Sequence, residues 1–397
     1  MFVAEVNPIR IAFVAFFSVL ALLWALADAG TIAAANAFIA WRNVAVQGLG
    51  VMTIGAMSAA VLLATRPRWL EQRLRGLDKM YRLHKWLGIA ALTFGTMHWL
   101  AAKGPKWLVQ AGLIARQPRA PRTGQLAGGG DALAGLQGFL QSQRGFAEQI
   151  GQIAFYAVAA LIVIALVRRF PYRHFFKTHR LLALAYLALA WHAFALLRFE
   201  NWSQPLGFAV GALLAGGIVS AFTVLLGRVG TGRRVVGVVE SVERHDGVAV
   251  SAITVKLQGR WPGHAAGQFA FVTFDRREGA HPFTIASAWA DDGRLFFLVK
   301  ALGDYTAKLG HTLAPGAVAE IEGPYGRFDF EDAAKRQVWV GGGIGISPFV
   351  ARLQALAAQP DGREVDLFHT TAGVDETALA RLRELARAAG VRLRIFI

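Results

Sequence analysis

Residues 83–102 read LHKWLGIAALTFGTMHWLAA, an apolar run with one histidine near each end. Residues 178–197 read THRLLALAYLALAWHAFALL and repeat this arrangement. Each run has the roughly 20 residues that a helix needs to cross the hydrocarbon core of a bilayer. The four histidines therefore lie in predicted membrane spans, where polar side chains are costly and usually have a function.

Four more apolar runs of this kind occur before residue 230, and none occurs after it. The composition agrees, since 55% of the residues are hydrophobic and only 17% are charged, against about 25% charged in soluble chains. The first run lacks the basic start and the cleavage site of a signal peptide. We predict an all-α, six-helix transmembrane domain over residues 1–227, with spans at Ile11–Ala27, Val44–Ala64, Leu83–Ala102, Ile150–Val167, Thr178–Leu197 and Leu206–Leu226.

Basic residues set the expected orientation of these spans. They crowd residues 66–85, residues 168–180 and the linker at 228–232 and its flanks. Basic loops stay on the cytoplasmic side of a membrane. We therefore expect a multi-pass protein of the cell (inner) membrane with both termini in the cytoplasm. The long loop 103–149 is expected outside. The net charge of +16 is therefore assigned to membrane topology and lipid rather than to nucleic acid.

The sequence pattern changes after the linker. Alternating segments at residues 234–242, 249–257, 268–274, 295–299 and 317–322 predict a cytosolic antiparallel β-barrel over residues 233–332. From residue 333 to 397 the order strand, helix, strand, helix, strand predicts a partial α/β domain, one βαβαβ half of a doubly wound sheet.

The spacing of the four histidines favours haem. His84 and His98 are 14 residues apart and His179 and His192 are 13 apart, which is about 21 and 20 Å along a helix. Each side of the bilayer then has two imidazoles, and the chain has no cysteine. Two nitrogen ligands suit haem iron, whereas zinc would need a third or fourth ligand. Hydrogen bonding between helices is the alternative role. A 13-residue step rotates a helix by about 140° from its starting face, so the fifth span is expected to bend, bulge or present its histidines sideways.

Three motifs in the second half have the residue types that hold nucleotides. One offers an aromatic ring and a hydroxyl for a flavin, one a cation before a helix start, and one a glycine-rich turn for a diphosphate. An ordinary strand, a capped surface helix and a tight turn are the simpler interpretations. The candidate residues are His281, Pro282, Phe283, Thr284, Ser287, Lys300, Gly303, Thr306, Gly342, Gly343, Gly345, Ser347 and Pro348.

In combination, these histidines and motifs resemble the ferric reductase/NADPH oxidase superfamily of transmembrane flavocytochromes b. The resemblance implies that His84 and His179 hold an inner haem b and that His98 and His192 hold an outer one. It implies that residues 281–284 contact the flavin ring of FAD and that Lys300 and Thr306 face its phosphates. It also implies that Gly342, Gly343 and Gly345 bind NADPH or NADH.

The activity implied by this resemblance is transfer of electrons from cytosolic NAD(P)H through FAD and both haems to an outer acceptor. Dioxygen, which would give superoxide, and ferric or cupric chelates are the candidate acceptors. The family's nucleotide domain continues beyond the elements present here, so a shortened chain with an incomplete donor site is expected. A cytochrome b subunit fed by a separate reductase is the alternative function. A haem or metal transporter or sensor would leave the flavin motifs without a role.

Overall fold

The computed structural model describes residues 8–113, 131–167, 172–331 and 334–397. The chain separates into two compact units, one of residues up to Leu74 together with Asp78–Val229, the other of Arg75–Leu77 and Gly230–Ile397. Part of the predicted outer loop (114–130), part of a basic link (168–171) and the predicted domain boundary at 332–333 lie outside the described residues.

Helices make up the first half of the described chain. Long apolar runs with few helix breakers form most of them, as expected where a helix must satisfy its own backbone. The helices are α1 (Pro8–Ala27), α2 (Ala29–Ala33), α3 (Phe38–Ala64), α4 (Arg68–Arg73), α5 (Leu77–Gln110), α6 (Asp131–Leu166), α7 (Tyr172–Leu196) and α8 (Pro205–Leu225).

Five of the described helices are long and apolar enough to cross a membrane. They are α1, α3, α8 and the segments Gly135–Leu166 of α6 and Lys177–Leu196 of α7. The predicted third span lies in α5, whose histidines, threonines and flanking lysines lower its overall apolarity. The six-span count is therefore not confirmed, whereas the five helices support a multi-pass membrane protein.

A proline inside α5 is compensated by an arginine on α3. Pro105 has no N–H to donate to the carbonyl of Ala101, four residues earlier. The guanidinium of Arg42 donates through Nε to Ala101 O at 3.0 Å and through Nη2 to Ala102 O at 2.8 Å. The helix therefore continues through the proline to Gln110.

Six strands of the second unit form an antiparallel sheet around a buried core. Alternating residues such as Leu295, Phe297 and Val299 face that core. Helix α9 (Asp304–Thr312) contributes Leu309 to it. The strands are β1 (Arg234–His245), β2 (Val250–Leu257), β3 (Phe269–Thr273), β4 (His281–Thr284), β5 (Arg294–Lys300) and β6 (Val318–Tyr325), in the order β4-β3-β6-β1-β2-β5.

The predicted barrel is corrected to an open sheet. Strands β4 and β5 are its two edges. Among the described residues, the two ends of the sheet are joined by an isolated bridge between Ile285 and Phe297 and by a bond from the Phe296 N–H to the Ser287 side chain, not by a continuous ladder. Strand β4 has four residues and includes Pro282, which lacks the N–H that a second ladder would need.

The remaining elements form the predicted βαβαβ arrangement. Strands β7 (Arg336–Gly342), β8 (Glu364–Thr370) and β9 (Arg392–Phe396) are parallel and lie in that order. Helices α10 (Ser347–Ala358) and α11 (Glu376–Ala388) connect them and pack on buried Trp339 and Leu367. The glycine-rich turn lies at the carboxyl end of β7, the edge where such sheets bind ligands.

Asp366 on β8 forms ion pairs with arginines on both neighbouring strands of this sheet. It accepts hydrogen bonds from Arg392 at 2.8 and 3.0 Å and from Arg336 at 3.2 Å. The bonds from Arg392, with help from Arg336, lower the pKa of Asp366 from 3.8 to about 2.

Replacing Asp366 should change the acid stability of the fold. Because its pKa is lower in the folded state, the carboxylate stabilises the protein above its unfolded pKa, and this contribution is lost as the pH falls from about 4 towards 2. Asp366→Asn should lower the thermal unfolding temperature at pH 7 and flatten its pH dependence below pH 4. Unfolding in detergent, followed by tryptophan fluorescence, measures both effects. Glu384→Gln on α11 is the control, and equal profiles for the two variants would contradict the prediction.

Candidate functional site

The four predicted ligand histidines meet in two pairs. The ring centres of His84 on α5 and His179 on α7 are 5.8 Å apart. Those of His98 on α5 and His192 on α7 are 6.2 Å apart. The structure thus brings together the residues that the helix spacing pairs, at two separate levels. Two bonds of about 2 Å from imidazole nitrogens to one metal ion are compatible with ring centres at this separation.

Backbone carbonyls on neighbouring helices orient three of these rings. A carbonyl oxygen only accepts a hydrogen bond, so the bonded Nδ1 carries the proton and Nε2 keeps its lone pair. Metal-ligating histidines characteristically donate their second nitrogen in this way. The bonds run from Nδ1 of His84 to Ala60 O (2.8 Å), of His98 to Val46 O (2.9 Å) and of His192 to Ala147 O (2.8 Å).

The spacing of the acceptor carbonyls on α3 matches the spacing of the histidines on α5. The two acceptors, Val46 and Ala60, are 14 positions apart, the separation of His84 and His98. The third acceptor lies on α6 instead, so His192 turns towards a different helix from the two histidines of α5. Helix α7 is a continuous α-helix from Tyr172 to Leu196. No bulge interrupts the described helix, and the bond of His192 to α6 agrees with a ring that is presented sideways.

A glycine makes room for His192. A Cβ atom on Gly151 of α6 would lie 2.0 Å from the Nδ1 atom of His192. Sequence reasoning missed this residue. Gly151 follows Ala147 by four residues and so shares its helix face, but the contact of that face with His192 is visible only in the fold. A small residue at each position lets α6 approach the ring closely.

A cavity of about 650 Å³ adjoins His98 and His192, and we call it the His98/His192 cavity. Its volume is within the range of sites for small molecules and cofactors, about 300–1,000 Å³. Apolar residues such as Gly50, Gly95 and Phe155 line one part of it, and amides such as Gln47 and Gln137 line another. The donor set here is a pair of imidazoles, since the described residues contain no cluster of three or more His, Cys, Asp or Glu side chains that suits a metal ion.

The predicted flavin segment is strand β4 and the residues after it. His281 stacks on Tyr305 with ring centres 4.6 Å apart and on Phe283 at 6.3 Å. Burial lowers the pKa of His281, although the Glu278 carboxylate opposes the shift. Burial also raises the pKa of Tyr305, to about 12. The aromatic group is therefore uncharged at neutral pH, and Tyr305 is a member that sequence reasoning missed.

Two hydroxyls in the predicted site bond to the backbone. Ser287 Oγ accepts the N–H of Phe296 at 3.1 Å, which joins the segment after β4 to β5. Thr306 Oγ1 accepts the N–H groups of Leu302 at 3.0 Å and Gly303 at 3.1 Å. Both side chains shape the loops in which they lie, and Thr306 fixes the start of α9.

Lys300 lies against the glycine-rich turn. A Cβ atom on Gly343 would be 3.5 Å from the ammonium nitrogen of Lys300. Gly343 has a φ of +50°, a left-handed conformation that favours glycine. The structure therefore brings the Lys300 and Gly343 motifs together, whereas the family resemblance implies that Lys300 faces the phosphates of FAD.

The other residues of the turn have distinct surroundings. Gly345 has open space where a Cβ would lie, whereas Gly342 lies beside Thr370. The buried Ser347 hydroxyl donates to Ile344 O at 2.8 Å. Pro348 occupies the first turn of α10, where its missing N–H costs nothing. The turn thus has an open side at Gly345 and a closed side at Ser347.

Each half of the chain contains a region that matches a known protein family. Residues 49–190 match the ferric reductase like transmembrane component, and residues 248–329 match an FAD-binding domain. Ferric reduction oxidase 7 of Arabidopsis thaliana is 26% identical over 309 residues, which are 71% of this chain and 36% of that protein. The ferredoxin–NAD(+) reductase component of the alkene monooxygenase system of Xanthobacter autotrophicus is 30% identical over 152 residues, or 37% of this chain and 46% of that protein.

The chain spans less than half the length of either of these curated relatives. Among solved structures, the Amycolatopsis cytochrome P450 reductase GcoB is 27% identical with a TM-score of 0.36, and the match covers 41% of this chain and 51% of that one. The two domain matches confirm the predicted resemblance to the ferric reductase/NADPH oxidase superfamily: the chain carries a ferric reductase-like transmembrane component followed by an FAD-binding domain.

Proposed function

We propose that the chain is a transmembrane oxidoreductase that moves electrons from cytosolic NAD(P)H, through FAD and two b-type haems, to an acceptor on the outer face. The observation that carries this proposal is the pair of facing imidazoles at each of two levels. When bound, the flavin and the haems would supply the redox chemistry, the flavin by converting a two-electron donor into one-electron steps.

In this proposal, His84 and His179 hold the inner haem and His98 and His192 hold the outer one. The fit rests on the donor set, since each level offers two neutral nitrogen ligands and no thiolate. The carbonyl bonds keep three of the four rings in one orientation. Binding then requires little reorganisation of the protein.

Residues of the second unit would bind the flavin and the donor. Phe283 and Thr284 would contact the ring system of FAD, with the His281 and Tyr305 stack as support. Gly342, Gly343 and Gly345 would receive the diphosphate of NADPH or NADH. Lys300 would supply the positive charge, since its ammonium group lies beside Gly343.

The names of the two relatives support the proposed electron acceptor and the proposed electron donor. The Arabidopsis protein is named a ferric reduction oxidase, and we extend a ferric chelate to this chain as the favoured acceptor, with dioxygen as the other. The Xanthobacter protein is named a ferredoxin–NAD(+) reductase component, and we extend a pyridine nucleotide donor to this chain.

Anaerobic absorbance spectroscopy of the purified protein in detergent tests the proposal. Haem bands typical of two imidazole ligands, together with flavin absorbance, should appear and should be reduced by NADPH or NADH. Reduction by dithionite alone would instead support the alternative, a cytochrome b subunit supplied by a partner reductase. Absence of haem would contradict both the proposal and this alternative.

Enlarging Gly151 should remove the outer haem selectively. In Gly151→Ala the new methyl group would overlap the His192 ring and displace it. The haem-to-protein ratio is expected to fall from about two to about one, because a displaced ligand loses its metal. Pyridine haemochrome analysis measures the ratio. Gly145→Ala lies on the same helix with open space around it, and it should keep both haems.

Neutralising Lys300 should weaken donor binding more than flavin binding. Lys300→Gln removes the cation beside Gly343, so the KM for NADPH should rise about tenfold, the effect of one charge-assisted hydrogen bond. The FAD content should stay close to that of the parent protein. Lys308→Gln, an exposed position on α9, is the matched control. Loss of FAD with an unchanged KM would instead return Lys300 to the flavin phosphates.

A further inference from the structure

An ion pair with a buried carboxylate holds an arginine at the wall of the His98/His192 cavity. Asp28 follows α1 and is only 2% exposed. Its Oδ1 atom accepts a hydrogen bond of 2.9 Å from Nη1 of Arg198, and the same nitrogen donates to the Thr31 hydroxyl. Because a buried carboxylate is costly without a partner, this contact fixes Arg198 where α7 ends.

The contacts of Arg198 leave one edge of its guanidinium group available. A guanidinium carries five N–H donors, and the two described side-chain contacts both use Nη1. The Nε and Nη2 donors therefore remain. This edge binds a carboxylate side-on through two parallel hydrogen bonds. Arg198 is one of the residues that line the cavity.

The other arginines of the cavity wall are held differently. Arg42 uses all three of its side-chain nitrogens, on Asn43 and on the carbonyls of Ala101 and Ala102. Arg144 donates through Nε to Glu148 at 3.2 Å in an ion pair whose two side chains are both more than half exposed, so it lacks the buried carboxylate that positions Arg198. The lining is nevertheless basic as a whole, with Arg42, Lys103, Lys106, Arg144 and Arg198 against Glu148 and Glu200.

We propose that Arg198, positioned by Asp28, is a carboxylate-binding site on the wall of the His98/His192 cavity. The inference rests on the proposed function for the identity of the carboxylate. It belongs either to a propionate of the haem held by His98 and His192 or to an anionic metal chelate that enters from solvent. The basic lining attracts both, and the free edge of Arg198 orients the one that binds.

The decisive variant is the double substitution Asp28→Asn with Arg198→Gln. It removes the binding edge without leaving a buried charge unpaired, so failure to fold is less of a risk than with either single change. Arg198→Lys keeps the charge but loses the planar fork, and it should show an intermediate effect. Arg144→Gln, which alters a paired arginine of the same wall, is the matched control.

Four readouts on the whole chain separate the sources of the carboxylate. A propionate predicts that the midpoint potential of one haem shifts in the double variant, with the KM for ferric citrate unchanged. A chelate predicts that the KM for ferric citrate rises about tenfold, with the rate of dioxygen reduction unchanged. It also predicts that iron-free citrate raises the thermal unfolding temperature of the parent protein and not that of the variant.

A double variant that matches the Arg144→Gln control in all four readouts would overturn the site. The proposed function fails by a different result, the absence of haem from the parent protein. Stabilisation by citrate would still decide the role of Arg198 in that case, because that measurement needs no haem.

Discussion

The transmembrane unit depends on the hydrogen bonds that join its imidazoles to carbonyls of neighbouring helices. In hydrocarbon an unpaired N–H is costly, so the Nδ1–H group of each bonded ring is held by its carbonyl acceptor. The carbonyls of Val46 and Ala60 are the acceptors for the two histidines of α5. Ring orientation, the protonated nitrogen and the contact between α3 and α5 are thus settled by the same two bonds.

The parts predicted well from the sequence were those fixed by helical geometry. Rise per residue placed His84 opposite His179 and His98 opposite His192, because the depth of a residue in a span depends on its position alone. The third span was not confirmed, since the polar side chains of α5, which include His84 and His98, also lower its apolarity. The predicted closed barrel was wrong. Pro282 lies in the edge strand β4, and its effect on closure depends on which strands pair with each other.

What the sequence could not supply were contacts between distant parts of the chain. Asp28 and Arg198 are 170 positions apart, and neither carries a pattern that points to the other. Lys300 was grouped with Thr306 because the two are close in sequence. The fold also brings it beside Gly343, which follows a strand of the other sheet of the same unit. Such pairs are set by packing, which local periodicity does not encode.

The use of backbone carbonyls as the partners of His84, His98 and His192 affects how this unit tolerates mutation. A substitution that keeps the side chain small at the buried Ala60 or Ala147 leaves the acceptor oxygen in place, so ring orientation does not depend on the chemistry of these side chains. An inserted or deleted residue between Val46 and Ala60 would rotate one acceptor by about 100° relative to the other. These acceptors are thus more sensitive to a change in helix length than to replacement by a residue of the same size.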